Sequence, residues 1–376
     1  MNTLKGFDLI DYAVEKDKDF IALVVSPWHM LGVQAVIEAL SEEYKELNGT
    51  IAICRNGNGN YTIKPELYSN MSNVEFVYYD SAVQKDFRVW NALDLRVKKQ
   101  KMQKPEKFFL IPNRIDVFLY AYYTKKAKNQ LAVCYILDEG LGTYVGLNGG
   151  DAEGKKRGQS SLKARLFDRI TERYTEKLIR NKRWNNFSVL KLNEENEWIN
   201  NERSIKYYGK ALNKSTVESS ELNQMYSDAI VINTQPFMGV GVPEGNVDIN
   251  ILLSLCKLCK EKDIKIVIKP HPGQTDLERY AKLEEFAYFD VRKGLPQEEI
   301  LNSLKNNPRA IVAFSSTTLL TTKLFYDIPS YSLAKLLLEE NINEFHKERL
   351  RVFIDTFENQ ICFCDSVNII IDDMTI

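Results

Sequence analysis

Three histidines and six cysteines are all that a chain of 376 residues offers for metal or thiol chemistry. Six cysteines over such a length do not form the dense framework of a disulfide-stabilised secreted domain. Cys256 and Cys259 make a formal CxxC that Cys362 and Cys364 could complete as a metal set. However, ILLSLCKLC reads as the buried face of a helix and ICFC as a strand whose two cysteines share a side. No metal is therefore expected. The chain also lacks an apolar run of the roughly 18 residues that span a bilayer, and MNTLKGFDLIDYAVEKDKDF has no signal-peptide core, so a cytoplasmic location is expected. Net charge is only −1, which gives no global reason to expect a nucleic-acid partner. Neither GxGxxG nor a Walker-type glycine loop occurs, so dinucleotide oxidoreductases and nucleoside triphosphatases lose support.

What is present is an ordinary globular composition, 44% hydrophobic and 27% charged, in a chain long enough for about two domains. Short β-branched and aromatic runs recur between helix-length segments. They are FIALVVS (20–26), TIAICR (50–55), VEFVYYD (74–80), KFFLIPN (107–113) and LAVCYILDEG (131–140), then AIVINTQP (229–236), IKIVIKPHP (264–272), AIVAFSS (310–316) and SYSLAK (330–335). Strands alternating with helices predict parallel sheets, and a change of texture within residues 195–225 predicts two of them. The expected fold is α/β, with two Rossmann-like domains, residues 1–215 and 216–376, facing a central cleft.

Open parallel sheets bind ligands beyond the C-terminal ends of their strands. Here those ends read SPWHMLG, LDEGLGTY, TQPFMGVG, KPHPGQ and FSSTTL. In KPHPGQ, Pro270 keeps the backbone extended and Pro272 stiffens the next step, so His271 is held in a set direction. An anion beside that imidazole would raise its pKa towards working pH, and Lys269 adds positive charge at the same strand end. Ser315, Ser316 and Thr317 open a helix after AIVAF; hydroxyls and free N–H groups there suit an anion, although simple capping would use them too. Glu298 begins another helix, where it could bond ribose hydroxyls or merely balance the helix dipole. Asp138-Glu139-Gly140 is a turn signal that also presents a carboxylate able to act as a base. His29 in SPWHMLG reads as a turn residue.

Residues 155–183 carry eleven Lys or Arg against three acids. LKARLFDRITERYTEKLIR reads as an amphipathic helix, either a solvated face or a peripheral contact with an anionic membrane through Arg165, Arg169, Arg173 and Lys177.

Taken together, the D/E-D/E-G, HP and S-S/T motifs, in this order and at strand ends, resemble the bacterial lipooligosaccharide and capsule sialyltransferases of glycosyltransferase family 52 and their relatives. The resemblance spans SPWHMLG to FSSTTLL. It implies a GT-B fold with an N-terminal acceptor domain and a C-terminal nucleotide-sugar domain. It also implies a metal-independent inverting transfer of sialic acid from CMP-sialic acid to a surface glycan, with no cofactor, and it allows a homodimer. On this likeness Asp138 is the base and His271 meets the leaving phosphate. Ser315 and Ser316, with Thr317, bind that phosphate, while Lys269 and Glu298 are further donor contacts. Glu244 or Asp248, in the strand-end segment TQPFMGVGVPEGNVD, is an alternative base. Other readings are a GT-B enzyme with another nucleotide sugar, a CDP-glycerol glycerophosphotransferase, or a non-catalytic capsule-assembly scaffold.

Overall fold

The computed structural model describes residues 2–54, 63, 65, 71, 73–80, 107–112, 117–126, 132–144, 162–195, 197–214, 220–235, 246–271, 274, 276–292 and 295–375. The chain divides into two compact units, Met1–Glu139 with Gly150–Val189 and Asn201–Lys214, and Gly140–Gly149 with Leu190–Asn200 and Ser215–Ile376.

The first unit contains β1 (Thr3–Lys5), β2 (Phe20–Val24), β3 (Gly49–Cys54), β4 (Val74–Asp80), β5 (Lys107–Ile111), β6 (Ala132–Leu137) and β7 (Trp184–Phe187). They form one sheet in the order β1-β4-β3-β2-β5-β6-β7, with every neighbouring pair parallel. All residues of β2 and β5 are buried, as a parallel sheet covered on both faces requires, and for that reason their sequences are apolar apart from Lys107 at the start of β5, which pairs with Asp17 at 2.8 Å. The helix Pro27–Ser41 follows β2. Proline at its first turn and a Ser26 hydroxyl that accepts the His29 N–H at 3.2 Å fix where it starts. It packs along Glu202–Leu212, where Trp28 stacks on Tyr208 with ring centroids 5.1 Å apart.

The basic helix Leu162–Arg180 belongs to this unit, and in its C-terminal half Tyr174 and Leu178 join the core beside Trp184. Arg169, Arg173 and Lys177 remain outward, while the side chain of Arg165 lies outside the described residues.

The second unit adds an antiparallel hairpin, β8 (Leu190–Leu192) and β9 (Trp198–Asn200), and six parallel strands. These are β10 (Ile230–Asn233), β11 (Ile266–Lys269), β12 (Tyr288–Phe289), β13 (Ala310–Ala313), β14 (Ser330–Ser332) and β15 (Cys362–Phe363), in the order β12-β11-β10-β13-β14-β15. The hairpin is held to the unit by Gln360, whose Nε2 donates to the Trp198 carbonyl at 2.9 Å, and by Tyr144, which meets Trp198 and Phe357 edge-on.

Each of the nine apolar runs contains a strand. The edge strands β1, β7, β8, β9 and β12 were not anticipated, because two to four residues at a sheet margin carry no unbroken apolar pattern. Cys256 and Cys259 are buried in the helix Val247–Glu261. The ICFC expectation needs correcting. The strand stops at Phe363, so Cys362 is exposed while Cys364 is buried.

Candidate functional site

Apart from β1, added at one edge of the first sheet, the strand order of each unit reverses once, and an open sheet leaves a crevice at that reversal. In the second unit the reversal lies between β10 and β13. The ends of β11, β10 and β13 are in register there, with Asn233 paired to Lys269 on one side and to Ala313 on the other. Each motif residue of this unit follows from that alignment.

His271 lies two residues past β11 and is half-buried. Its N–H donates to Thr234 Oγ1 at 3.1 Å, and its carbonyl accepts the Gln274 N–H at 2.7 Å, so the backbone on both sides of the ring is tied down. Burial lowers the imidazole pKa to about 4, and in this state the ring is neutral at pH 7. Lys269, at the end of β11, is 6% exposed, with Nζ 3.7 Å from Asp290 Oδ2. Burial holds its pKa down while Asp290 pulls the other way. Asp290 also accepts Tyr226 O–H at 2.5 Å and Arg292 Nε at 2.7 Å. Burial alone would raise its pKa, but Lys269 and Arg292 outweigh this and keep the carboxylate charged. Lys269 is thus a buried cation with a fixed counter-ion.

The hydroxyl cluster is built at the start of the helix Thr317–Tyr326. Ser315, Ser316, Thr317 and Thr318 are all half-buried. Ser316 caps the helix by accepting the Thr318 N–H at 3.4 Å, and its hydroxyl lies 2.8 Å from Thr318 Oγ1. Thr318 Oγ1 in turn accepts Asn233 Nδ2 at 2.8 Å. Either hydroxyl of the Ser316–Thr318 pair can be the donor, since each has one proton and two lone pairs, so Asn233, Thr318 and Ser316 form one hydrogen-bonded chain. Thr317 is used differently. Its Oγ1 accepts the Leu141 N–H at 3.0 Å. Gly140, beside Leu141, has φ +81°, and a Cβ there would lie 2.2 Å from the same oxygen. The glycine of the acidic motif is therefore docked on the first threonine of the helix.

Glu298 is 3% exposed. Its carboxylate accepts the Thr321 hydroxyl and its carbonyl accepts Tyr326 O–H at 2.6 Å, joining the helix Gln297–Ser303 to Thr317–Tyr326. Its charge also acts on Lys269.

In the first unit Asp138 follows β6 directly. It is wholly buried, and Oδ2 accepts the Val189 N–H at 3.1 Å; Glu139 beside it is half-buried. His29 is 6% exposed in the first turn of its helix, where Nδ1 accepts the Val25 N–H at 3.3 Å. Burial lowers its pKa to about 4. Of the alternative carboxylates, Asp248 is 1% exposed and paired with Arg279 Nη2 at 3.0 Å, and burial raises its pKa. Glu244 lies outside the described residues.

Sequence reasoning missed Asn233, Thr234, Asp290 and Tyr226. Only strand register and crossover order bring them to the crevice, although the polar ending of AIVINT marked two of the places. Among the described residues no group of three or more His, Cys, Asp or Glu side chains could hold a metal ion. No described helix is long and apolar enough to cross a membrane.

A family model described as "Alpha-2,8-polysialyltransferase (POLYST)" matches residues 20–335. No curated protein matches the chain. Solved structures similar to it include E. coli heptosyltransferase WaaC with ADP, at 14% identity and TM-score 0.36, covering 83% of this chain and 86% of that one. The UDP-GlcNAc 2-epimerase of Methanocaldococcus jannaschii is 14% identical with TM-score 0.45, covering 95% of this chain and 99% of that one. S. aureus MnaA with UDP is 10% identical with TM-score 0.44, covering 91% and 90%.

Proposed function

The chain belongs to the alpha-2,8-polysialyltransferase family, and from that premise we propose how a sialyltransferase of GT-B class works with these residues. The donor is CMP-sialic acid, and the acceptor is a hydroxyl of a bacterial surface glycan ending in sialic acid. The observation that carries the reading is that β11, which leads to Lys269 and His271, and β13, which leads to Ser315 and Ser316, end in register on either side of β10.

The bond between the anomeric carbon and the phosphate oxygen breaks, its electron pair leaving with CMP. Positive charge builds on the sugar and negative charge on the phosphate. Ser315, Ser316 and the N-terminus of Thr317–Tyr326 stabilise the phosphate with donors already in position. His271 is neutral without a ligand. The arriving phosphate raises its pKa, and the ring takes up a proton that it shares with the leaving oxygen. The acceptor oxygen bonds to the anomeric carbon from the opposite face, with inversion, and its proton passes to Asp138. Asp248 is less suited to this task because Arg279 already neutralises it. Thr317 and Glu298 are committed to internal hydrogen bonds, so they shape the pocket. The finer likeness to family 52 rests on the three motifs. Contact with a membrane and a homodimeric state belong to the same proposal, the former through Arg165, Arg169, Arg173 and Lys177.

The test is release of CMP from CMP-sialic acid, with sialic acid-terminated and galactose-terminated acceptors. Wild type, His271→Ala, Asp138→Asn and Glu139→Gln are compared. Acceptor-dependent release that is lost in the first two variants and kept in the third supports the assignments. Turnover of CDP-glycerol instead would overturn the donor.

A further inference from the structure

Among the described residues of the second unit, the buried side-chain atoms without a hydrogen-bond partner are Gln274 Oε1, Gln360 Oε1 and both ends of the Gln297 carboxamide, so Gln297 alone is unpaired as donor and as acceptor. Gln297 opens the helix Gln297–Ser303 after β12, on the C-terminal side of the sheet. Its side chain is 3% exposed, and among the described residues neither Oε1 nor Nε2 has a hydrogen-bond partner. A buried amide left unpaired at both ends costs stability at each end, because both donor and acceptor have given up water for nothing. Its surroundings are otherwise well satisfied. The next residue, Glu298, accepts the Thr321 hydroxyl and acts on Lys269, which ends the strand leading to His271. The unpaired carboxamide is therefore one residue from the group that links this helix to the phosphate-binding helix.

We infer that Gln297 is a nucleobase-reading residue, whose carboxamide pairs with the amide-like edge of a pyrimidine base on the donor nucleotide. A carboxamide presents one N–H donor beside one carbonyl acceptor. A pyrimidine edge presents the complementary pair, as cytosine does with its exocyclic amine and ring N3. Two bonds formed together satisfy both ends of Gln297, which gives the buried, unpaired amide a role. The inference rests on the nucleotide-donor reading above and adds to it the residue that recognises the base.

The experiment compares binding of CMP with that of ribose 5-phosphate, which lacks only the base, in wild type, Gln297→Met and Gln360→Met. Methionine keeps the shape and removes both polar groups. In wild type CMP should bind at least about tenfold more tightly than ribose 5-phosphate. Gln297→Met should bring that ratio close to one, leave ribose 5-phosphate binding unchanged, and raise the melting temperature of the free protein by a few degrees through relief of the unpaired amide. Gln360 also has an unpaired Oε1, but it holds the β8–β9 hairpin. Its variant should lose stability and keep the ratio. An unchanged ratio in Gln297→Met, or a lower melting temperature in that variant, overturns the inference while the donor reading stands. A wild type that does not distinguish CMP from ribose 5-phosphate overturns the donor reading itself.

Discussion

Gly140 and Thr317 are 177 positions apart in the chain, yet a Cβ on the first would lie 2.2 Å from the hydroxyl oxygen of the second. The neighbouring Leu141 N–H donates to that oxygen at 3.0 Å. The turn after Asp138-Glu139 is thus seated on the first residue of the helix that presents the Ser316 hydroxyl. Glycine is required there twice, by its φ of +81° and by the close approach.

Gly140→Ala should therefore destabilise the protein by about 1–3 kcal/mol. Adding Thr317→Ala should recover only part of the loss, because the strained φ remains. Thermal unfolding of the two variants separates the steric from the conformational part; full recovery would leave the backbone strain without support.

Asn233→Leu removes the donor that organises Thr318 and, through it, Ser316. Activity should fall about tenfold or more, with donor KM rising, since one positioned hydrogen bond to charge is worth roughly that much. Circular dichroism should show the fold intact. An unchanged KM would mean that Ser316 needs no such orientation.

His271→Ala should lower kcat by about 10²- to 10⁴-fold. The ring's pKa is about 4 in the free protein. Bound CMP should move it upward, because an anion favours the imidazolium. Titration of the His271 ring protons by NMR, with and without CMP, reads the shift, and a downward move would exclude a proton shared with the phosphate.

His29 supplies a dependence of stability on pH. Its folded pKa, about 4, is depressed below the ordinary value of 6.5 by burial. The unfolded chain therefore takes up this proton first on acidification. Stability is fully present above pH 6.5 and falls as pH drops towards 4, by about 3 kcal/mol for this group. Urea denaturation of wild type and His29→Gln across that range should show the slope reduced by nearly one proton in the variant.

Asp290→Asn leaves Lys269 buried beside a neutral group. A loss of about 3–5 kcal/mol is expected, since an uncompensated buried charge is costly. Lys269→Met combined with Asp290→Asn should restore much of that stability without restoring activity.

The two-sheet architecture could be read from the residues because parallel strands buried on both faces leave unbroken apolar runs. His271, Ser315 and Asp138 could be placed at strand ends because the polar residues there interrupt the apolar runs. The partners of these residues were hidden. Asn233 is 85 positions from Thr318, and Tyr226 is 64 from Asp290; neither pairing leaves a periodic trace. Local chemistry also did not show that Thr317 and Glu298 spend their polar atoms inside the fold, or that His271 is neutral without a ligand.

By itself the sequence determined the strands, their class and the types of group at their ends, since hydrophobic period, turn residues and caps act over a few neighbours. Only the tertiary structure decided which ends meet, which charges are paired and which amide is left unpaired, because register, burial and desolvation depend on residues the chain brings together from far apart.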